Sequence, residues 1–176
     1  MASWYGFPFH GRRTSSGEIF DMNQLVAAHR TLPLGSIVRV INLNSGRRTE
    51  VRIIDRGPFV GGRLIDLSLA AARAIDMVER GVATVRLELV SSPAPLTGPF
   101  TVQVGAFQQR KNAERLRAQL KARYPVFLQD FDAPAGHFYR VRVGRLPNER
   151  AAQQLAAQLA RERASETFVV KLDDLR

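Results

Sequence analysis

The 176-residue chain contains no cysteine. That removes disulfides, zinc ribbons, thiolate nucleophiles and iron–sulfur clusters together. It has no run of about 18 apolar residues, so no segment reads as a membrane-spanning helix. No charged n-region followed by an apolar h-region precedes Ser3-Trp4-Tyr5-Gly6, which is structured-looking sequence from the start. His10, His29 and His137 lack metal-ligand spacing, so neither a metal nor another cofactor is expected. Lysine is scarce: Lys111, Lys121 and Lys171 are the only lysines among 26 basic residues. What the chain does have is positive charge. Against 16 acidic residues the net charge is +10 and the pI about 11.2, a balance that suits a polyanion: nucleic acid, acidic lipid or an anionic polymer. Hydrophobic residues at 45% and charged residues at 24% indicate a folded chain rather than a disordered one.

Ser91-Ser92-Pro93-Ala94-Pro95-Leu96-Thr97-Gly98-Pro99 packs three prolines and a glycine into nine residues, the composition of a stiff, extended spacer. It predicts two domains, 1–90 and 100–176, with residues 91–99 as linker. In the first, Ile37–Ile41 and Glu50–Ile54 are β-branched runs joined by the turn formers 42–46, a hairpin signal. Val82 to Val90 alternates, with Ala83, Val85, Leu87 and Leu89 on one face. Ser68 is placed to cap a helix from Leu69 to Arg80, stopped by Gly81, with Leu69, Ala72, Ile75 and Val78 as its buried stripe. Many short strands with one helix predict a small β-barrel.

The second domain repeats itself. Val102-Gln103-Val104-Gly105 and Val141-Arg142-Val143-Gly144 stand 39 residues apart, and at the same offset Ala113, Leu116 and Leu120 match Ala152, Leu155 and Leu159. With further strands at 126–128 and 168–170, the order is β-α-β-β-α-β, a split βαβ arrangement with one sheet face free of helices. If Val102, Val104, Tyr139, Val141 and Val143 face the helices, alternation puts Gln103, Gly105, Phe138, Arg140 and Arg142 on that other face.

Among titratable residues of the first domain, Asp55 ends an apolar strand and precedes Arg56-Gly57-Pro58-Phe59, which predicts a carboxylate at a barrel rim. Flanked by Val51, Ile53, Ile54 and Phe59, it is a candidate general acid; a rim aspartate paired with Arg56 is the competing reading. Glu18 alone reads as surface, and Asp66, just ahead of a helix, as a cap.

The blocks Ser3-Trp4-Tyr5-Gly6, Thr14-Ser15-Ser16-Gly17-Glu18-Ile19-Phe20-Asp21, Ala28-His29-Arg30-Thr31-Leu32-Pro33-Leu34-Gly35, Asp55-Arg56-Gly57-Pro58-Phe59 and Ile65-Asp66-Leu67-Ser68 resemble the rare lipoprotein A family. Phe100 to Phe107 and Tyr139 to Gly144 are similar to the SPOR, or sporulation-related repeat, domain. The resemblance implies a six-stranded double-psi β-barrel followed by an α+β SPOR domain. It implies an endolytic lytic transglycosylase, a lyase of bacterial peptidoglycan acting on glycan strands stripped of peptide, with the SPOR domain binding those denuded strands at the division septum. Glu18, His29 and Asp55 match the family's catalytic positions. In that scheme Asp55 protonates the oxygen between N-acetylmuramic acid and N-acetylglucosamine, and the sugar's own 6-hydroxyl traps the cation-like centre as a 1,6-anhydro end. Glu18 and His29 position the sugar or tune Asp55 in that scheme, and which of them accepts the hydroxyl proton is left open. Trp4, Tyr5 and Asp66 are candidates for substrate contact, burial of Trp4 and Tyr5 in the barrel being the alternative. On the SPOR half the resemblance points to Gln103, Ala106, Phe138 and Arg140, with Ala106 standing where the family often has serine. Phe138 is suited to stacking on a pyranose. The resemblance also implies a lipidated cysteine at an export signal. With no cysteine in the chain, the expectation is a soluble, trimmed, monomeric form of a periplasmic or outer-membrane-associated protein.

Two other readings compete. One is a non-catalytic wall-binding protein. The other is an RNA-binding module, prompted by charge and sheet, but the basic-Gly-aromatic-Gly/Ala-aromatic signature of that fold is absent from both central strands.

Overall fold

The computed structural model describes residues 1–133, 136–163 and 165–172, and the chain divides into two compact units, Met1–Leu96 and Thr97–Arg176. Unit 1 contains β1 (Ala2–Tyr5), β2 (Val26–His29), β3 (Ile37–Asn42), β4 (Arg48–Asp55), β5 (Ile65–Ser68), α1 (Leu69–Ala74), β6 (Val82–Ala83) and β7 (Val85–Ser91). Their order in the sheet is β6-β1-β5-β2-β4-β3-β7. The expected strand 82–90 is interrupted at Thr84, whose carbonyl accepts from Leu43 N–H instead of joining a ladder. Its first part pairs with β1 and its second with β3. One continuous segment therefore supplies both end strands of the sheet and draws it into a barrel. Counting that segment once gives the six strands expected. β1 runs parallel to β5 and β2 parallel to β4, the paired crossings of the double-psi arrangement.

Alternation decides what lies inside. Ala2, Ala27, Val38, Val40, Val51, Ile53, Ile65 and Leu67 fill the barrel, while Ser3, Ala28 and Asp66 alternate with them and leave on the outer side. The long β1–β2 connection crosses that outer side and lays Phe20 over Val26 and Ile54, a second small core completed by Tyr5 and Met22.

Ser68 caps α1 as expected, accepting from Ala71 N–H at 3.2 Å, but the helix ends at Ala74 rather than Arg80. The Ile75 carbonyl is taken by the Asn42 side-chain amide at 2.8 Å and by Ser45 Oγ at 3.2 Å, and Asp76 has φ +58°. The β3–β4 turn thus satisfies the helix terminus from outside. Ile75 and Met77 still reach the core.

Unit 2 contains β8 (Phe100–Phe107), α2 (Arg110–Leu120), β9 (Val126–Ala133), β10 (Gly136–Leu146), α3 (Glu149–Arg163) and β11 (Phe168–Lys171), with sheet order β11-β8-β10-β9. This is the expected βαββαβ order. Phe100, Val102, Val104, Val141 and Val143 meet Ala113, Leu116, Leu120, Ala152, Ala156 and Leu159 in one core. Gly105 departs from the expected pattern. The register slips between the pairs Val141–Gly105 and Arg142–Gln103, a bulge that turns Gly105 toward the helices. A Cβ there would stand 2.8 Å from Phe107 Cε2 and 3.1 Å from Leu116 Cδ2, so Gly105 is where a helix approaches the sheet rather than part of the opposite face.

Candidate active site

β4 delivers Asp55 to the barrel rim, half-buried, as its sequence context predicts. Three donors converge on its Oδ1: Ser15 N–H at 3.0 Å, Ser15 Oγ at 2.6 Å and the Arg56 N–H at 2.7 Å. An oxygen saturated with donors stays an acceptor. The carboxyl is thereby oriented, and Oδ2 is the oxygen left for chemistry.

Ser15 owes its position to Glu18. The loop from Thr14 to Glu18 is tied to β4 at two points, by Ser16 N–H donating to the Ile54 carbonyl at 3.0 Å and by a two-pronged ion pair of Glu18 with Arg52 at 2.6 and 2.8 Å. The Arg52 guanidinium beside Glu18 holds its carboxyl below the usual range. Glu18 is half-exposed, so this pair acts through geometry more than through stability.

His29 is buried and works on the backbone. Its Nδ1 accepts from Thr31 N–H and Leu32 N–H, both at 3.1 Å, which puts the ring proton on Nε2. Burial, with Arg30 and Arg56 nearby, pushes its pKa down to about 4, so the ring is neutral and already uses the lone pair that would take a proton. The turn it holds is clamped from the other side: Arg56 Nη1 donates to the His29 carbonyl at 2.9 Å and the Leu32 carbonyl at 2.7 Å. Glu18 and His29 therefore reach Asp55 by separate routes, one through Ser15 and one through Arg56.

Of the substrate-contact candidates in the barrel, Trp4 packs against the core and donates from Nε1 to the Val78 carbonyl at 3.3 Å. It takes the buried alternative. Tyr5 stacks on Phe20 with centroids 4.4 Å apart and meets Phe9 edge-on at 5.5 Å. Its hydroxyl is buried without a hydrogen-bond partner among the described residues, and burial followed by the charges of Asp55 and Asp66 raises its pKa. Asp66 is not the helix cap. Its Oδ1 accepts from Ser3 Oγ, and burial raises its pKa against the opposing effects of Ser3, Arg63 and Arg30. Sequence reasoning missed Ser15, Ser3 and Arg52 as parts of the site; each becomes visible only when a loop or strand remote in sequence is brought against it.

In unit 2 the register puts Gln103, Ala106, Phe138 and Arg140 on one face: Ala106 opposite Arg140, Gln103 opposite Arg142, with β9 adding Phe127, Gln129 and Phe131. Gln103 and Arg140 are only 4% and 5% exposed. The Arg140 guanidinium lies 3.4 Å from the centre of the Phe131 ring. Oε1 of Gln103 and Oε1 of Gln129 are buried without partners among the described residues, acceptors that a hydroxyl or amide N–H of a ligand would satisfy.

Residues 1–87 match the family model described as lytic transglycolase, and residues 96–171 match that of the SPOR domain. The endolytic peptidoglycan transglycosylase RlpA of Helicobacter pylori strain J99 is 40% identical over 174 residues, 99% of this chain and 52% of the relative. The protein of that name from Neisseria meningitidis serogroup B strain MC58 is 37% identical over 164 residues, 89% of this chain and 69% of the relative. The probable RlpA of Synechocystis sp. strain PCC 6803 is 60% identical over 90 residues, 51% of this chain and 28% of the relative. The chain spans about half the length of several curated relatives that it matches from end to end. On the strength of the two consecutive domain matches and of relatives aligned across both units, the chain belongs to the RlpA family.

Proposed function

We propose that the chain is an endolytic lytic transglycosylase that cleaves between N-acetylmuramic acid and N-acetylglucosamine in peptide-free glycan strands and leaves 1,6-anhydro ends. The observation that carries this reading is the triple-donor anchor on Asp55 Oδ1, which holds one oxygen as an acceptor and aims the other. A group positioned in this way transfers a proton at a defined atom. The leaving glycosidic oxygen gains a proton as its bond to C1 breaks, and the 6-hydroxyl oxygen of the same sugar bonds to C1 and gives its proton up to the site, so the carboxyl groups of the site lose one proton and gain one. No water need be activated, unlike the hydrolytic two-carboxylate scheme. Glu18 and His29 are positioning residues in this reading, each locking one of the two segments that hold Asp55.

Gln103, Ala106, Phe138 and Arg140 form the glycan-contacting face of the SPOR half, with Phe138 and the β9 aromatics against pyranose faces and the orphaned glutamine oxygens accepting from hydroxyl or acetamido groups. Binding there keeps the barrel on denuded strands at the septum, in the periplasm. The net charge of +10 suits a polymer bearing lactyl carboxylates.

Digestion of peptide-free glycan strands, read by mass spectrometry for anhydromuramyl ends, tests the reading. Wild type releases them, and Asp55→Asn lowers the rate by roughly 10²–10⁴-fold. Equal traces for the two proteins rule the catalytic assignment out. Binding to strands without release of such ends favours the non-catalytic wall-binding reading.

A further inference from the structure

Asp55 has a neighbour in kind. Ala28 of β2 pairs with Asp55 of β4 on one side and with Asp66 of β5 on the other, and Asp66 pairs in turn with Ser3 of β1. Directly paired residues share a face, so Asp55, Ala28, Asp66 and Ser3 form a row across four adjacent strands. The two aspartates are two strand spacings apart, about 10 Å between Cα atoms. What separates them is small: the methyl of Ala28, and Gly57, where an added Cβ would stand 3.9 Å from Ala28 Cβ. Tyr5, two residues beyond Ser3 on the same face of β1, brings a buried hydroxyl with no partner among the described residues into the field of both carboxyls.

The surroundings of the two aspartates differ. Asp55 takes three donors on one oxygen, an arrangement made for a carboxylate. Asp66 takes one among the described residues, from Ser3, and lies within β5 between its neighbours β1 and β2. Neither of the other candidates is free to accept a proton: Glu18 is doubly bonded to Arg52, and His29 spends its Nδ1 lone pair on Thr31 and Leu32.

Resting on the transglycosylase reading, we propose that the proton steps are divided between two carboxyls, with Asp66 donating to the leaving oxygen and Asp55 Oδ2 receiving the proton of the 6-hydroxyl. The steps balance. Asp66 gives its proton to the glycosidic oxygen as the C1–O bond breaks. The 6-hydroxyl oxygen forms the new bond to C1 and its proton passes to Asp55. After product leaves, Asp55 gives its proton to solvent and Asp66 takes one from solvent, and the starting state is restored with no net change in protons. The groups bearing on Asp66 are Ser3 and Tyr5 of β1, Asp55 at the end of β4, Arg30 after β2 and Arg63 before β5. Desolvation raises its pKa, the direction a proton donor requires.

The test is the pH dependence of anhydro-end release from peptide-free strands by the whole chain, with kcat and KM separated. Asp66→Asn is expected to lower kcat by roughly 10²–10⁴-fold with KM within about twofold. Ser3→Ala leaves the carboxyl in place but removes the donor that favours its charged form, so the alkaline limb of kcat moves to higher pH. An unchanged kcat with raised KM in Asp66→Asn makes Asp66 a sugar contact and overturns the proposal, as does an unmoved pH profile in Ser3→Ala. Should Asp66→Asn fail to fold, Ser3→Ala decides. Wild type that releases no anhydro ends overturns the transglycosylase reading itself, a result separate from these.

Discussion

Ser15 gives Asp55 both of its donors, the backbone N–H at 3.0 Å and Oγ at 2.6 Å, and both go to the same oxygen. Forty residues of sequence separate the two, and the contact exists because the 14–18 loop is tied down at Ile54 and Arg52.

Replacing Ser15 by alanine deletes the Oγ bond and keeps the N–H. A hydrogen bond to a charged group contributes about 1.5–3 kcal/mol, so kcat is expected to fall roughly 10–100-fold with little change in KM. Steady-state rates of anhydro-end release measure this, and an unchanged kcat makes the contact incidental.

Glu18→Gln breaks a half-exposed ion pair whose contribution to stability is about 1 kcal/mol or less. It frees the loop that carries Ser15. Thermal unfolding is expected to shift by only a few degrees, while activity falls at least about tenfold. Arg52→Gln is expected to do the same, and the double variant to cost little more than either alone.

His29 links folding to pH. Its pKa falls from the ordinary 6.5 to about 4 in the folded chain, so between those values the unfolded chain binds more protons. Stability therefore drops as pH falls from about 6.5 to 4, by at most about 3 kcal/mol, and this contribution levels off below. His29→Asn keeps an acceptor for the Thr31 and Leu32 N–H groups but cannot titrate. Its melting temperature is expected to lose less over that window than that of wild type. Parallel curves for the two proteins rule out His29 as the source.

Gly105→Ala puts a methyl 2.8 Å from a Phe107 ring carbon and 3.1 Å from Leu116. Overpacking of this kind costs about 1–3 kcal/mol, and it falls on unit 2. Thermal denaturation followed by tryptophan fluorescence, which reports on Trp4 of unit 1 alone, is expected to be unchanged while the circular dichroism transition of the helical unit moves down.

Much of this was legible in advance, for identifiable reasons. The 39-residue repeat gave the second unit its element order because each copy pairs a β-branched strand with an apolar stripe at helical spacing. Alternation from Val82 to Val90 places Ala83, Val85 and Leu87 on the core side as expected, while Leu89 on the same face is exposed and the break at Thr84 leaves no mark in the pattern. It comes from Leu43, a partner on another turn. The helix after Ser68 was read too long because Asn42 and Ser45 cap it from a hairpin. Strict alternation misplaced Gly105 since a bulge costs one residue of register. In the site, Asp55 stood out by its position after an apolar strand, whereas Ser15 and Ser3 look like any turn or strand serine until their partners arrive from 40 and 63 residues away.

The segment from Val82 to Ser91 joins β1 on one side and β3 on the other. It works as a clasp: the barrel has a single fastening, and that fastening is the last piece of unit 1 to leave a ribosome. Until it arrives, β1, the strand carrying Ser3 and Tyr5, has an open flank. A protease nick near Thr84 would sever the link between the two seams, so the row of Asp55, Ala28, Asp66 and Ser3 is expected to lose order together with barrel closure.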